Sequence, residues 1–368
     1  MITLRLLNSS GLEDFINSKE FCELKNIPIT RHRAISHINN PQAGKDDILL
    51  ILAMKNDQIA GYLGILPDEL HFASGKSDKC GWFSCLWVDN ASRGEGIAQS
   101  MINKALEVWD HKILVADYTP PSKKLYDKSN AFNHPLIMEG LRLYIRMDLF
   151  QLLPPKNKLF KLVKPFWKCW DVLTNSLLDQ RFLFSKNELD ETRLEYVSKI
   201  ADEINEFIIK KQDNQPFKRR MKEFNWILKY PWILSDPLAN IKGQKYHFTS
   251  SEKDFGFYGL SLRNPGQEMV AFLLFVKRNH ALKLQYGYFE QVALNEVIDV
   301  IKFLILKYKI CTFTTFHPVL INYFNEHKTI ALYKKKIKRS YLVSSAFNPD
   351  FPTSGIEIQA GDGDCVFV

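Results

Sequence analysis

The chain contains no Cys-x-x-Cys pair, and its six cysteines, at positions 22, 80, 85, 169, 311 and 365, are scattered through 368 residues. No Cys/His group has zinc spacing, so neither a metal site nor a disulfide framework is expected, and the cysteines read as reduced thiols of a cytoplasmic protein. No apolar run approaches the roughly 20 residues that a membrane-spanning helix needs. The longest, Ile48 to Met54 and Met269 to Val276, have the length of strands. The first residues meet Glu13 and Asp14 too early for a signal peptide, so none is expected. No nucleic-acid-binding motif is present and the basic residues are dispersed, which leaves nucleic acid out as a partner.

The composition is that of a globular protein, with 46% hydrophobic and 24% charged residues, and the length favours two domains. Aromatic residues are plentiful at 13%. A net charge of +8 suits an anionic partner such as coenzyme A, a nucleotide-linked substrate or a membrane surface, without choosing among them.

The most informative stretch runs from Trp82 to Trp109. An apolar run, Trp82 to Val88, reads as a buried strand. A polar turn follows, Asp89 to Ser92, and Arg93-Gly94-Glu95-Gly96-Ile97-Ala98 opens a helix with Ile97, Met101, Ala105 and Trp109 on one face. The first amides of a helix lack intrahelical partners and its dipole favours negative charge there, so a strand feeding a glycine turn into a helix makes an anion site. Glycines at 94 and 96 let a phosphate approach the backbone. The alternative is a tight turn that binds nothing.

Arg93-x-x-Gly96-x-Ala98 resembles the Arg/Gln-x-x-Gly-x-Gly/Ala signature of the GCN5-related N-acetyltransferases, the GNAT superfamily. The resemblance implies that Arg93, Gly94, Glu95, Gly96, Ile97 and Ala98 cradle the pyrophosphate of acetyl-CoA. It also implies that the strand around Leu86, Trp87 and Val88 pairs with the pantetheine arm and polarises the thioester carbonyl. The order of elements agrees. Ile2 to Leu7 reads as a strand, and a helical region follows. Ile48 to Met54 and Gln58 to Leu66 form a hairpin around Lys55-Asn56-Asp57, and a polar loop, Ala73 to Lys79, leads to the central strand. Beyond the helix come a short strand, Ile113 to Asp117, a helix from Thr119 to Phe132, and a closing strand, Leu141 to Leu149. The resemblance covers residues 1–150. By the same resemblance Tyr126 is the tyrosine that protonates the departing thiolate, against the alternative of a half-buried helix tyrosine. Thr119 stands where asparagine is often found, which weakens that cofactor contact. Arg31 and Arg33 fall in the region that helps form the acceptor pocket in the family; the alternative is a solvated helix face.

Residues 151–215 read as a basic, aromatic linker. Lys156, Lys158, Lys161, Lys164 and Lys168 alternate with Leu159, Phe160, Leu162, Val163, Phe166, Trp167 and Trp170. Such a helix can lie on a membrane, but Pro165 interrupts it and a helix packed on a core has the same pattern; the packed reading is the preferred one. Leu189 to Lys211 is predicted helical. Residues 216–368 repeat the first order in weaker form: strands at Lys245 to Thr249 and Gly256 to Arg263, a hairpin around Arg278-Asn279, a helix Asn295 to Tyr308, a strand, a helix Pro318 to Glu326 and closing strands from Ala331 to Ser344. The glycine pair is missing there, and Glu290 and Glu296 would repel phosphate. The expected fold is therefore α/β (α+β): a mixed, mostly antiparallel GNAT-type sheet flanked by helices, in two tandem GNAT-like domains of which the second binds no coenzyme. The tail carries Asp362 and Asp364, which contribute either a turn and final strand or part of an acceptor cleft.

The resemblance implies an acyl-CoA-dependent N-acetyltransferase with acetyl-CoA as co-substrate and no metal, acting directly on a primary amine of a small molecule or sugar. Tyr126 is the candidate acid, since a phenol near pKa 10 is close to a thiol. The base is less clear because Trp82 to Val88 contains no acid. Asp89 and Glu69 are the first candidates, with Asp68, His71 and Asp117 behind them, although Asp89 also suits a turn cap. Cys85 reads as a packing residue or a site residue. The rival is a non-catalytic acyl-CoA-binding or regulatory protein.

Overall fold

The computed structural model describes residues 2–154, 157–183, 189–235, 244–347, 351 and 356–367. Lys156 of the linker and Val368 of the tail lie outside them. Six strands precede the linker: β1 Ile2–Leu7, β2 Leu50–Lys55, β3 Gln58–His71, β4 Ser77–Val88, β5 Ile113–Ala116 and β6 Phe132–Tyr144. Six follow it: β7 Leu194–Val197, β8 Phe255–Arg263, β9 Met269–Arg278, β10 Ala281–Phe289, β11 Thr312–Thr315 and β12 Tyr333–Ser344. Five helices accompany the first set: α1 Ser9–Asn17, α2 Lys19–Glu23, α3 Arg31–Ile38, α4 Ile97–Val108 and α5 Pro120–Lys128. No helix among the described residues is long and apolar enough to cross a membrane.

Two compact units divide the chain, and neither is continuous. The first takes Met1–Met138, Ser198–Gly256 and Lys338–Val368; the second takes Glu139–Val197 and Phe257–Ile337. This differs from the consecutive blocks 1–150, 151–215 and 216–368 expected from composition. The cause lies in the closing strands. In the first unit the strand order is β1-β2-β3-β4-β5-β12, with β5 paired to Tyr341–Val343 of β12. In the second it is β7-β8-β9-β10-β11-β6, with β11 paired to Leu141–Tyr144 of β6. Each sheet is thus completed by a strand from the other half of the sequence. Within each, one pair is parallel, β4 with β5 and β10 with β11, and the other pairings described are antiparallel. The two units therefore share one mostly antiparallel GNAT-type layout.

Local chemistry explains most elements. Asn56 and Asp57 both sit at positive φ, 50° and 58°, and these residues tolerate the left-handed conformation of the two-residue hairpin between β2 and β3. Leu49 to Ala53 are buried on both faces of the sheet: Ile51 and Ala53 join the core under α4, while Leu50 and Leu52 join the core with Leu12, Phe15 and Phe21 of α1 and α2. Helix α4 buries Ile97, Met101, Ile102, Ala105 and Leu106 at helical spacing. In the second unit, Val297, Ile301 and Leu304 of the helix Leu294–Lys307 pack on Leu273 and Phe275 of β9 in the same manner.

Three expectations change. The predicted helix Leu189–Lys211 is strand β7 followed by a helix, Asp202–Ile209. Its apolar period begins only at Ile200, and Asp202 and Glu203 favour a helix start there. The predicted loop Ala73–Lys79 is shorter than expected, because residues 73–76 make the turn and β4 begins at Ser77, which pairs with His71. Lys245–Thr249 forms only an isolated bridge, between Lys245 and Asn26. The linker helix is interrupted as expected: Lys158–Leu162 ends at Val163, and Pro165 sits in the first turn of Lys164–Leu183, where a missing N–H costs nothing.

Candidate active site

Strand β4 leaves its neighbour part-way along. Its parallel pairing with β5 ends at Phe83 opposite Val115, while β4 runs on to Val88. Antiparallel pairing with β3 continues on the other side, with a slip between Tyr62 and Gly64 that sets Cys85 and Leu86 against Leu63 alone. This is a β-bulge, and Cys85 takes φ 55° in it. The bulge turns successive side chains to one side. Ser84 and Cys85 both bond Arg33, and Cys85 packs beside the α1 core, whereas Leu86 and Val88 pack against the α4 core. Residues Ser84 to Val88 therefore present backbone groups along an edge with no registered β5 partner among the described residues.

The exposed turn follows directly. A single 3-10 turn, Asn90–Ser92, leads to Gly94 at φ 89° and Gly96 at φ 78°, and Gly96 caps α4. Non-glycine residues rarely adopt this left-handed conformation. Arg93 to Gly96 are exposed, and the helix starts at Ile97 rather than at Arg93. The amides of Ile97, Ala98 and Gln99 precede the first intrahelical bond, from Ser100 to the Gly96 carbonyl. Glu95, an unfavourable charge for an anion site, is held by Lys55 at 2.6 Å. The second unit has its own bulge at Gln285, but the helix after it starts at Leu294 with a cap at φ −90° and Glu296 in its first turn. It lacks the left-handed glycines that shape the first turn.

On the α1 side of β4, Arg33, Trp232, Tyr246 and Asp364 converge on Ser84 and Cys85 of the bulge. Thr30 caps α3 and sets the direction of Arg33, which is buried. The Arg33 guanidinium donates to Cys85 Sγ at 2.6 Å, to Tyr246 Oη at 3.0 Å and to Ser84 Oγ at 2.5 Å. It also stacks on Trp232 at 3.8 Å. Ser84 in turn donates to Asp364 at 2.9 Å. Burial opposes the charge on Arg33, but Cys85, Tyr246 and Asp364 more than offset it and its pKa rises. Burial also pushes Asp364 up, against the pull of Arg33 and Ser84, and drives His37, stacked on Trp232, well below its usual range. The site thus holds a fixed cation, a neutral imidazole and a carboxyl that binds its proton more tightly than in water.

Asp364 yields a pH prediction. Its folded pKa lies above the ordinary 3.8, so the folded state holds this proton more tightly than the unfolded chain. The resulting stability is present below 3.8 and is lost as pH rises through the raised value. Asp364→Asn cannot ionise, so its denaturant midpoint should fall less than that of the wild type over this window. Parallel curves would contradict the assignment.

The tail that carries Asp364 is pinned beside β4. Phe367 stacks on Trp232 at 4.3 Å, and the carbonyl of Ala360 accepts from Arg339 at 2.6 Å. Gly363, at φ 70°, lies so close to Trp82 that a Cβ would sit 2.8 Å from the ring. Below it, Arg219 grips Asp68 with two bonds of 2.5 and 2.6 Å, and Trp82 donates to the same carboxylate at 2.8 Å. Asp68, a sequence candidate for the base, is therefore a structural anchor.

The other candidates separate. Arg33 reaches the bulge, but Arg31 turns away to Asn17 at 2.9 Å. Glu69 lies five residues beyond Gly64 along β3, roughly 17 Å at strand spacing, and is engaged by Ser77 and His71; it is not brought to the bulge. Asp89 directly follows β4, and its side chain makes no capping bond, contrary to the expected turn cap. Tyr126 is buried on the α4 side against Phe83 and Phe132, with its pKa raised by burial and then by Asp364. Thr119 caps α5 through Ser122. Sequence reasoning missed Ser84, Trp232, Tyr246 and Arg219. No motif marks them, because their partners lie far away in the chain.

Residues 13–132 match the family model described as acetyltransferase (GNAT) family. Those residues form a GNAT domain. They contain the bulge, the glycine turn and Tyr126. Similar folds occur in a GCN5-related N-acetyltransferase from Anabaena variabilis, at 11% identity, TM-score 0.50, 93% of this chain and 72% of that one. Another from Kribbella flavida gives 9%, 0.51, 93% and 70%. Saccharomyces cerevisiae N-myristoyltransferase with bound myristoyl-CoA gives 11%, 0.52, 97% and 84%. These identities show a shared fold. No curated protein matches the chain. The GNAT domain belongs to a family of acyltransferases, and the exchanged closing strand, β12, completes its sheet.

Proposed function

We propose that this protein is an acyl-CoA-dependent N-acyltransferase that moves an acyl group, acetyl by default, to a primary amine of a small molecule or sugar. The observation that carries the reading is the exposed left-handed turn at Gly94 and Gly96, placed directly after the open, bulged edge of β4. The amides of Ile97 and Ala98 would hold the pyrophosphate, and Arg93 would add charge. Ser84 to Val88 would pair with the pantetheine amides, and an amide at the bulge would polarise the thioester carbonyl. The amine nitrogen then bonds the carbonyl carbon, the carbon–sulfur bond breaks, and the thiolate takes a proton from Tyr126. The amine proton goes to a base. Asp364, through Ser84, is better supported for that role than Glu69 or Asp89, because it alone of the three bonds a residue of the bulge. The scattered cysteines support a cytoplasmic setting.

A non-catalytic acyl-CoA-binding protein is the second reading, favoured by the lack of an acid in Trp82 to Val88. Incubating the protein with acetyl-CoA and a panel of primary amines, and following free thiol, separates them. Thiol release that depends on one amine supports the enzyme. Tight binding with no release across the panel supports the sensor.

A further inference from the structure

We propose that the linker helices Lys158–Leu162 and Lys164–Leu183 dock this protein on an anionic phospholipid surface. The longer helix carries Phe166, Trp170, Leu173 and Leu177 at i, i+4, i+7 and i+11, which is one helical stripe. All four are exposed, by 55%, 45%, 61% and 63%. Leu159 and Leu162 on the shorter helix extend the apolar surface, at 69% and 80%. A helix packed on a core would turn these residues inward, and this one does not. Its inward residues include Asp171, which is buried and accepts from the amides of Leu149 and Phe150.

Charge selects the occupant. Between Leu149 and Gln180 the sequence has five lysines, at 156, 158, 161, 164 and 168, and two acids, Asp171 and Asp179. Asp171 is used as above, and Asp179 pairs with Arg146 at 2.8 Å. Lys161, Lys164 and Lys168 are exposed at one end, with Lys164 and Lys168 on the side of the helix away from Phe166 and Trp170, while the Phe166 to Leu177 stripe itself carries no charge. An anionic bilayer offers both the apolar layer and the opposite charge, and a basic helix with Trp, Phe and Leu on its other side lies in such an interface. Because no described helix can cross a membrane, the contact is peripheral.

The test is co-sedimentation of the full chain with vesicles of phosphatidylcholine alone or with added phosphatidylglycerol, at low and high salt. The wild type should bind the anionic vesicles at least about tenfold more tightly than the neutral ones, with loss at high salt. Phe166→Glu/Trp170→Glu and Lys161→Glu/Lys164→Glu/Lys168→Glu should each weaken binding about tenfold or more; the altered side chains are exposed, and circular dichroism checks that both variants fold. Absence of binding, or equal binding by all three proteins, would overturn the proposal. So would a wild-type dimer in light scattering that Phe166→Glu/Trp170→Glu splits, since that assigns the face to a second copy.

Discussion

Replacing Arg219 with methionine is expected to destabilise the fold by roughly 3–5 kcal/mol, because it leaves the buried Asp68 carboxylate without its partner. The pair is bidentate, with side-chain exposures of 8% and 4%, and it joins Ser198–Gly256 to β3 in the first unit. Asp362 also approaches Arg219, at 3.7 Å, so the loss extends to the tail. The Trp82 bond to Asp68 remains but carries no compensating charge. Removing both partners, as Asp68→Asn with Arg219→Met, should cost clearly less than the sum of the single changes, since no bare charge is left. Urea denaturation of the four proteins checks this. Additive losses, or a single-variant loss below about 1 kcal/mol, would mean that the pair is solvated and does not hold the unit together.

Tyr126→Phe is expected to lower turnover by roughly 10²-fold or more while leaving acetyl-CoA affinity unchanged. Burial and then Asp364 raise the pKa of Tyr126, so the phenol is protonated at neutral pH and holds its proton more tightly than a free tyrosine. Its ring packs against Phe83, Tyr118 and Phe132, and phenylalanine keeps that packing. A loss confined to turnover therefore isolates the hydroxyl. Unchanged turnover would make Tyr126 a core residue, the alternative its place beside Phe83 supports equally.

What could be read from sequence was what is local in sequence. The turn at Gly94 and Gly96 is set by residues within six positions of one another, and so is the hairpin at Asn56 and Asp57. The apolar period of α4 is likewise its own signal. The rest of the site depends on distance along the chain. Arg33 meets residues 84, 85, 232 and 246, and Ser84 meets residue 364. Nothing in the stretch around His32 distinguishes Arg33, which is buried, from Arg31, which is not. The exchange of β6 and β12 was illegible for a related reason. A strand's alternation says which face is buried, not which sheet receives it. Glu69 was a reasonable guess on residue type, but the long β3 carries it away from the bulge. Leu189–Lys211 misled because Leu194 to Val197, a short edge strand, abuts a true helix and blends into its period.

Calorimetric titration of acetyl-CoA into the protein, with Gly96→Glu alongside, tests the central claim. At Gly96 a side chain has open space around it, but the left-handed backbone strains any residue other than glycine, and a carboxylate there repels phosphate. Binding by the wild type that disappears in the variant is the predicted result and places the coenzyme on the turn at residues 93–98. No heat from the wild type would remove both the acyltransferase and the acyl-CoA sensor, leaving the GNAT domain as a scaffold.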